Sequence, residues 1–212
     1  MTNHHGIGRR ALIATMALLR PGLALADAST IDLTTPGFTF ARTGNGALSN
    51  WEVQADGSTP NQRVLVQTSN DPTDYRFPLA IYQPIDAANV EATVRFKAVS
   101  GRVDRAGGLV VRYADPDNYY VVRANALEDN VNLYRILKGS RREIQGASVP
   151  VPSDTWHALG LKAVGDRLTV SFNGKVLFTA SDRTFANPGK VGLWTKADSV
   201  TRFDALTVRV LS

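Results

Sequence analysis

Asn173-Gly174 stands between two short β-prone runs, Leu168–Phe172 and Lys175–Ala180. A two-residue turn joining right-twisted strands needs positive φ at both central positions, and Asn-Gly supplies both. Leu168, Val170 and Phe172 alternate with Arg167, Thr169 and Ser171, the period of a strand with one buried face. The segment therefore predicts an antiparallel hairpin. Val90, Ala92, Val94 and Phe96 repeat the alternation against Glu91, Thr93, Arg95 and Lys97. Gly165-Asp166 and Lys138-Gly139-Ser140 read as further reversals, and Asp115-Pro116-Asp117-Asn118 as a turn in which proline fixes φ and Asp or Asn side chains cap the backbone.

From Ile31 onward no long stretch keeps a 3.6-residue apolar period, and only a turn around Asp182–Phe185 reads as helical. Roughly a dozen strand-like segments exceed an immunoglobulin-type domain and suit a larger sandwich. The prediction is an all-β, two-sheet antiparallel jelly-roll sandwich with almost no helix outside the leader. No internal repeat or linker divides residues 27–212, which are read as one domain, and Thr43–Asn50 reads as a surface loop.

Residues 1–26 read as a signal peptide. Arg9-Arg10 close a polar stretch, Ala11–Leu19 form a short apolar run, and Arg20-Pro21-Gly22 break it. Ala24-Leu25-Ala26 offers a small-x-small cleavage pattern, with Ala26-Asp27-Ala28 as a second choice, so cleavage is expected after Ala26 or Ala28. The apolar run is shorter than the roughly 20 residues that span a bilayer, and no other segment reads as transmembrane. The twin arginine permits either of two export routes. The protein is expected to be periplasmic or secreted in a bacterium.

Charge then argues against nucleic acid as a partner. The chain carries +5 and a pI near 9.7, but three arginines lie in the leader, which has no Asp or Glu. Without them 21 of the 24 basic residues face 19 acidic ones, a net charge of +2, and no basic block remains to track phosphates. The absence of cysteine excludes a disulfide framework, a thiolate metal site and a cysteine nucleophile. Of three histidines only His157 lies beyond the leader, too few for a multi-histidine zinc site.

Several stretches together resemble a known family. Gly107-Gly108-Leu109-Val110-Val111-Arg112-Tyr113 followed by Asn118-Tyr119-Tyr120-Val121-Val122-Arg123 is similar to a pattern of LamG-like jelly rolls in the concanavalin A-like lectin/glucanase superfamily. The bacterial 3-keto-disaccharide hydrolase domain shares it. Trp156-His157, Gly165–Leu168 and Phe172-Asn173-Gly174-Lys175 resemble the same family's hairpin, and Gly189–Thr195 with Phe203–Leu206 its closing pair. The resemblance runs from about Trp51 to Val210. It implies the fold; such sandwiches include lectins, glycosidases, lyases and adhesion modules, so it does not by itself assign an activity.

Alternation sorts the residues that carry chemistry. Leu109, Val111 and Tyr113 are expected on one face of their strand, with Val110 and Arg112 on the other. Tyr120, Val122 and Ala124 alternate with Tyr119, Val121, Arg123 and Asn125, and pairing across the Asp115–Asn118 turn puts Arg112 and Arg123 on a shared face. Trp194 and Lys196 lie opposite Val191 and Leu193. The resemblance places these residues on a concave sheet, and their chemistry suits an oligo- or polysaccharide. Trp194 stacks on an apolar sugar face; Arg112, Arg123, Asn125, Tyr119 and Lys196 bond hydroxyls or clamp a carboxylate. The scaffold alternative is that the arginines pair with Glu91 or Glu128 and that Trp194 is core. The register of Val131–Lys138 stays open.

Glycoside hydrolysis ordinarily uses two flanking carboxyl groups. The Glu-x-Asp-x-Glu spacing of laminarinase-like members of the superfamily does not occur here, Glu128-Asp129 read as the start of a turn, and His157 as a structural histidine. Calcium (Ca2+) is the metal that domains of this fold often bind, and Asp115, Asp117 and Asn118 or Asp204 offer oxygen ligands for it, but the first set reads rather as an ordinary Asx turn and no metal ligands are assigned. The expected function is glycan recognition on the concave sheet. The alternatives are a glycosidase or lyase of the 3-keto-disaccharide hydrolase type and a cell-envelope adhesion or structural domain.

Overall fold

The computed structural model describes residues 1–2 and 27–212. The leader expected over residues 1–26 lies outside the described residues except for Met1 and Thr2. In chain order the strands are β1 (Ser29–Asp32), β2 (Phe38–Gly44), β3 (Trp51–Ala55), β4 (Arg63–Gln67), β5 (Arg76–Ala87), β6 (Val90–Ser100), β7 (Ala106–Asp115) and β8 (Asn118–Asn125). They continue as β9 (Asn130–Leu137), β10 (Ser140–Ser148), β11 (His157–Val164), β12 (Arg167–Phe172), β13 (Lys175–Ser181), β14 (Gly189–Trp194) and β15 (Val200–Val210).

All pairings are antiparallel, and the strands form two sheets. One runs β13-β12-β11-β6-β15-β4-β3 with β1 added on β15, the other β10-β9-β8-β7-β14-β5-β2. This is the two-sheet jelly-roll sandwich. No helix occurs among the described residues: the turn expected around Asp182–Phe185 is irregular, its backbone held by the Asp182 carboxylate accepting the Thr184 N–H. Asn173 and Gly174 adopt φ of 48° and 79°, as the hairpin between β12 and β13 requires. Thr43, expected in a loop, is a buried residue of β2.

The principal core lies between the sheets. Val90, Ala92, Val94 and Phe96 of β6 and Leu159, Leu161 and Ala163 of β11 meet Leu109 and Val111 of β7, Tyr120, Val122 and Ala124 of β8, and Val191 and Leu193 of β14. His157 is buried there too, between the rings of Phe96 and Phe172, with its Nε2 on the Pro152 carbonyl at 3.0 Å.

A second apolar cluster fills the other face of the seven-stranded sheet: Phe77, Leu79 and Ile81 of β5, Val110, Tyr119 and Val121, Tyr134 and Ile136 of β9, and Trp194. That face is not an open groove, because the sheet curls until its far strands meet. The Tyr75 hydroxyl, just before β5, donates to the Gly139 carbonyl and accepts the Arg141 N–H, each at 2.8 Å, so it ties the β9–β10 turn across the sheet. The Arg141 guanidinium then lies over the rings of Phe77 and Tyr134, at 5.0 and 4.8 Å.

Candidate functional site

One cross-strand row runs along the concave face: Ala41, Leu79, Trp194, Gly108, Arg123, Asn132 and Gly146 are successive partners from β2 to β10. A β-carbon on Gly108 would sit 2.9 Å from the Val122 carbonyl and 3.1 Å from Cε3 of Trp194, so glycine there lets the indole lean towards the β8 side. Trp194 is fully buried and stacks on Phe77, with ring centroids 5.2 Å apart.

Towards the end of the sheet where β8 finishes and β7 begins, the face turns polar. Arg123 and Asn125 extend from β8, Lys196 follows β14, and Asp104 precedes β7. Asp104 is wholly buried, and Arg123, Asn125 and Lys196 nearly so. Lys196 Nζ lies 2.9 Å and Arg123 Nη1 3.9 Å from Asp104 Oδ2, yet neither carboxylate oxygen receives a well-formed hydrogen bond, and Arg123 Nε has no acceptor. Unused capacity of this kind in a buried cluster is uncommon.

The rest of the cationic capacity is met from the rim. Arg123 Nη2 donates to Glu128 Oε2 at 2.8 Å and to Asn130 Oδ1 at 2.7 Å, and Asn130 also donates to Glu128. Lys196 donates to Asp74. Asn125 Oδ1 accepts the Leu127 N–H at 2.9 Å and shapes the loop that carries Glu128.

Burial works against the charge on Arg123, but Tyr134, Glu128 and Asp104 hold its pKa above the ordinary value. Lys196 is likewise raised, its desolvation outweighed by Asp74 and Asp104. Desolvation pushes the Asp104 carboxyl up against the pull of Lys196 and Arg123. Burial alone would raise Glu128; its bonds from Arg123 and Asn130 bring it below the usual carboxylate range.

The structure gathers Arg123, Asn125 and Lys196, and sets Trp194 in the same cross-strand row as Arg123, with Gly108 between them. It separates the other two candidates. Arg112 does not share a face with Arg123. An irregularity in the β7–β8 pairing between Val111 and Asp115 places Arg112 at φ 50° and shifts the alternation, so Tyr113 turns to the concave side. The Arg112 guanidinium instead donates to the carbonyls of Ala88, Phe185 and Gly165, each at 2.7 Å. Tyr119 has the expected face but lies four residues back along β8, fully buried, its hydroxyl 2.8 Å from that of Thr43. Trp194, expected as an exposed stacking platform, is enclosed.

Asp104, Glu128, Tyr134, Asn132 and Arg141 complete the surroundings. Asn132 Nδ2 donates to the Tyr134 hydroxyl and to Glu143, each at 3.0 Å. The open register of Val131–Lys138 hid Asn132 and Tyr134, and no periodic pattern marks Asp104, which stands in a loop.

Asp115 accepts the Asp117 N–H at 2.8 Å and the Asn118 side-chain amide, an ordinary turn, and Asp204 pairs with Arg95. No group of three His, Asp or Glu side chains among the described residues is arranged to hold a metal ion. A groove of about 690 Å³ crosses the outer face of the other sheet along Thr93, Gly160, Lys162, Thr169 and Ser171, far from the buried charges.

No family model matches the chain, and no curated protein matches it in sequence. Solved structures do match in fold. The carbohydrate-binding module CBM66 from Bacillus subtilis superimposes with a TM-score of 0.63 at 20% identity, covering 83% of this chain and 97% of that one. A protein of unknown function with a galectin-like fold, also from Bacillus subtilis, gives 0.61 at 10% identity over 88% and 97%. The exoplasmic/lumenal domain of VIP36, in a Ca2+- and Man3GlcNAc-bound form, gives 0.59 at 12% identity over 86% and 88%. The chain thus has the two-sheet jelly-roll fold that these structures share.

Proposed function

We propose that this is an exported carbohydrate-binding protein that takes a glycan at the polar end of its concave sheet, with Arg123, Asn125 and Lys196 as ligand contacts beside Trp194. One observation carries the reading: buried donors and acceptors on Arg123 and Asp104 converge there with part of their hydrogen-bonding capacity unused. Sugars present dense hydroxyl groups that both donate and accept, which suits a mixed set of this kind. The jelly-roll fold supports it, since one neighbour is a carbohydrate-binding module and another holds a mannose-containing oligosaccharide. Export rests on the leader sequence; no helix among the described residues is long and apolar enough to cross a membrane.

The test is a glycan and polysaccharide binding screen of the purified protein, with and without calcium, repeated with Asn125→Ala and Arg123→Gln. Saturable binding lost in both variants while their melting curves stay cooperative is the expected result. Binding that survives in both folded variants removes the site. Product released from a bound oligosaccharide would make the protein a hydrolase or lyase.

A further inference from the structure

Two cations of the site are nearly sealed in protein, and each turns its charge towards a carboxylate that comes in from solvent. The Arg123 side chain is 2% exposed and its Glu128 partner 47%; for Lys196 and Asp74 the values are 9% and 72%. The carboxylates come from separate loops, Glu128 between β8 and β9 and Asp74 just before β5. Among the described residues Asp104 is the one fully buried counter-charge, and it is shared between both cations.

The asymmetry has an energetic consequence. A desolvated guanidinium or ammonium needs an opposite charge, and losing it is costly. A half-exposed carboxylate recovers its hydration on swinging back into water, so the cost of separation falls on the buried cation and is met if another carboxylate takes its place. The cations thus require a carboxylate, but nothing requires it to be Glu128 or Asp74. Arg141, over Tyr134 with its Nη1 lacking an acceptor, adds a third positive group beside them.

We infer that the ligand of this site carries carboxylates, as in a uronic-acid glycan, and that Glu128 and Asp74 are internal place-holders which the ligand displaces from Arg123 and Lys196. The inference rests on the glycan reading above and narrows it. The bound carboxylate takes the two-oxygen geometry that a guanidinium matches, while Asp104 and Asn125 remain for neighbouring hydroxyls.

A place-holder present nine-tenths of the time weakens the apparent affinity about tenfold, so removing it strengthens binding by that factor. The experiment measures affinity of the full protein for polygalacturonate and alginate, for the same polymers after reduction of their carboxyl groups, and for dextran sulfate. It compares the wild type with Glu128→Gln. The expected result is binding to at least one acidic polymer, its loss on carboxyl reduction, weak binding to dextran sulfate, and severalfold tighter binding by Glu128→Gln. A gain of affinity cannot arise from misfolding, so the variant keeps the test sharp.

Equal binding of acidic and reduced polymers, or of dextran sulfate, overturns the inference, as does unchanged or weaker binding by Glu128→Gln. Binding to neutral glycans alone overturns it but leaves the carbohydrate reading standing. No binding to any glycan by either protein removes both.

Discussion

The carboxylate of Asp198 accepts the backbone N–H of Asp104 at 3.0 Å, together with those of Arg102 at 2.7 Å and Val103 at 3.0 Å. Three successive amides converging on one anion fix the loop that leads into β7. Gly101 begins that loop at φ +141°, where a β-carbon would come within 1.8 Å of the Asp104 carbonyl oxygen. Asp198 and Gly101 thereby set Asp104 against Lys196 and Arg123. Asp198→Asn replaces an acceptor-only group with one that turns donors towards donors. It is expected to cost ~1–3 kcal/mol of stability and to weaken glycan binding at a distance from the ligand. Urea unfolding and a binding titration check both; an unchanged midpoint would contradict the role given to the loop.

The same pair gives opposite responses to acid. Burial alone would raise the Asp198 carboxyl, but its backbone donors bring it below the ordinary value. Its stabilisation is therefore present above the unfolded Asp pKa, about 3.9, and is lost as pH falls through the folded value. Asp104 is raised by desolvation. Its contribution is complete below the unfolded pKa and is lost as pH rises through the folded one. Stability curves between pH 2 and 6 test the signs: Asp198→Asn is expected to flatten the acid loss, and Asp104→Asn to steepen the net rise of stability with pH. The reverse pattern would show the shifts wrongly signed.

What could be read beforehand follows the regularity of each strand. β8 keeps strict alternation, so the faces of Tyr119, Val121, Arg123 and Asn125 against Tyr120, Val122 and Ala124 were legible from the residues alone. β14 showed the opposition of Trp194 and Leu193 in the same way. β7 did not, because nothing in Val110-Val111-Arg112-Tyr113 announces a positive φ at an arginine, and one irregular residue inverts everything after it. Exposure was illegible for a different reason. Alternation tells which way a side chain points but not whether the sheet curls over it, and here the cover comes from Tyr75 and Arg141, remote in the chain. Asp104 depends on a loop, where no period operates.

Arg112 illustrates an arginine used as a structural tie. Its three donors each meet a carbonyl from a different segment, Ala88 before β6, Gly165 between β11 and β12, and Phe185 before β14. Burial lowers its pKa, as expected of a guanidinium that meets neutral carbonyls and no carboxylate. Lysine cannot reproduce the planar fork. Arg112→Lys and Arg112→Met are both expected to lose roughly 2–4 kcal/mol, read from denaturant midpoints. Below the melting transition glycan affinity should stay within twofold of the wild type. A selective loss of binding in a stable Arg112 variant would return this residue to the site.

Trp194 separates packing from ligand stacking. An indole that stacks on a sugar must be accessible, and its removal lowers affinity with little effect on folding. This indole is fully buried, stacked on Phe77 and leaning over Gly108. Trp194→Ala should therefore open a cavity costing roughly 3–5 kcal/mol. For a chain of this size each kcal/mol moves the midpoint about 2–4 °C, so the melting temperature should fall by roughly 6–20 °C. Gly108→Ala presses on the same contact from the other side and should destabilise by about 1–3 kcal/mol. Trp194→Phe keeps most of the ring packing and should bind glycan nearly as well as the wild type, since Arg123, Asn125 and Lys196 are left in place. A Trp194→Phe protein that melts normally yet loses binding would show that the indole meets the ligand, and that the concave face opens far enough to let it in.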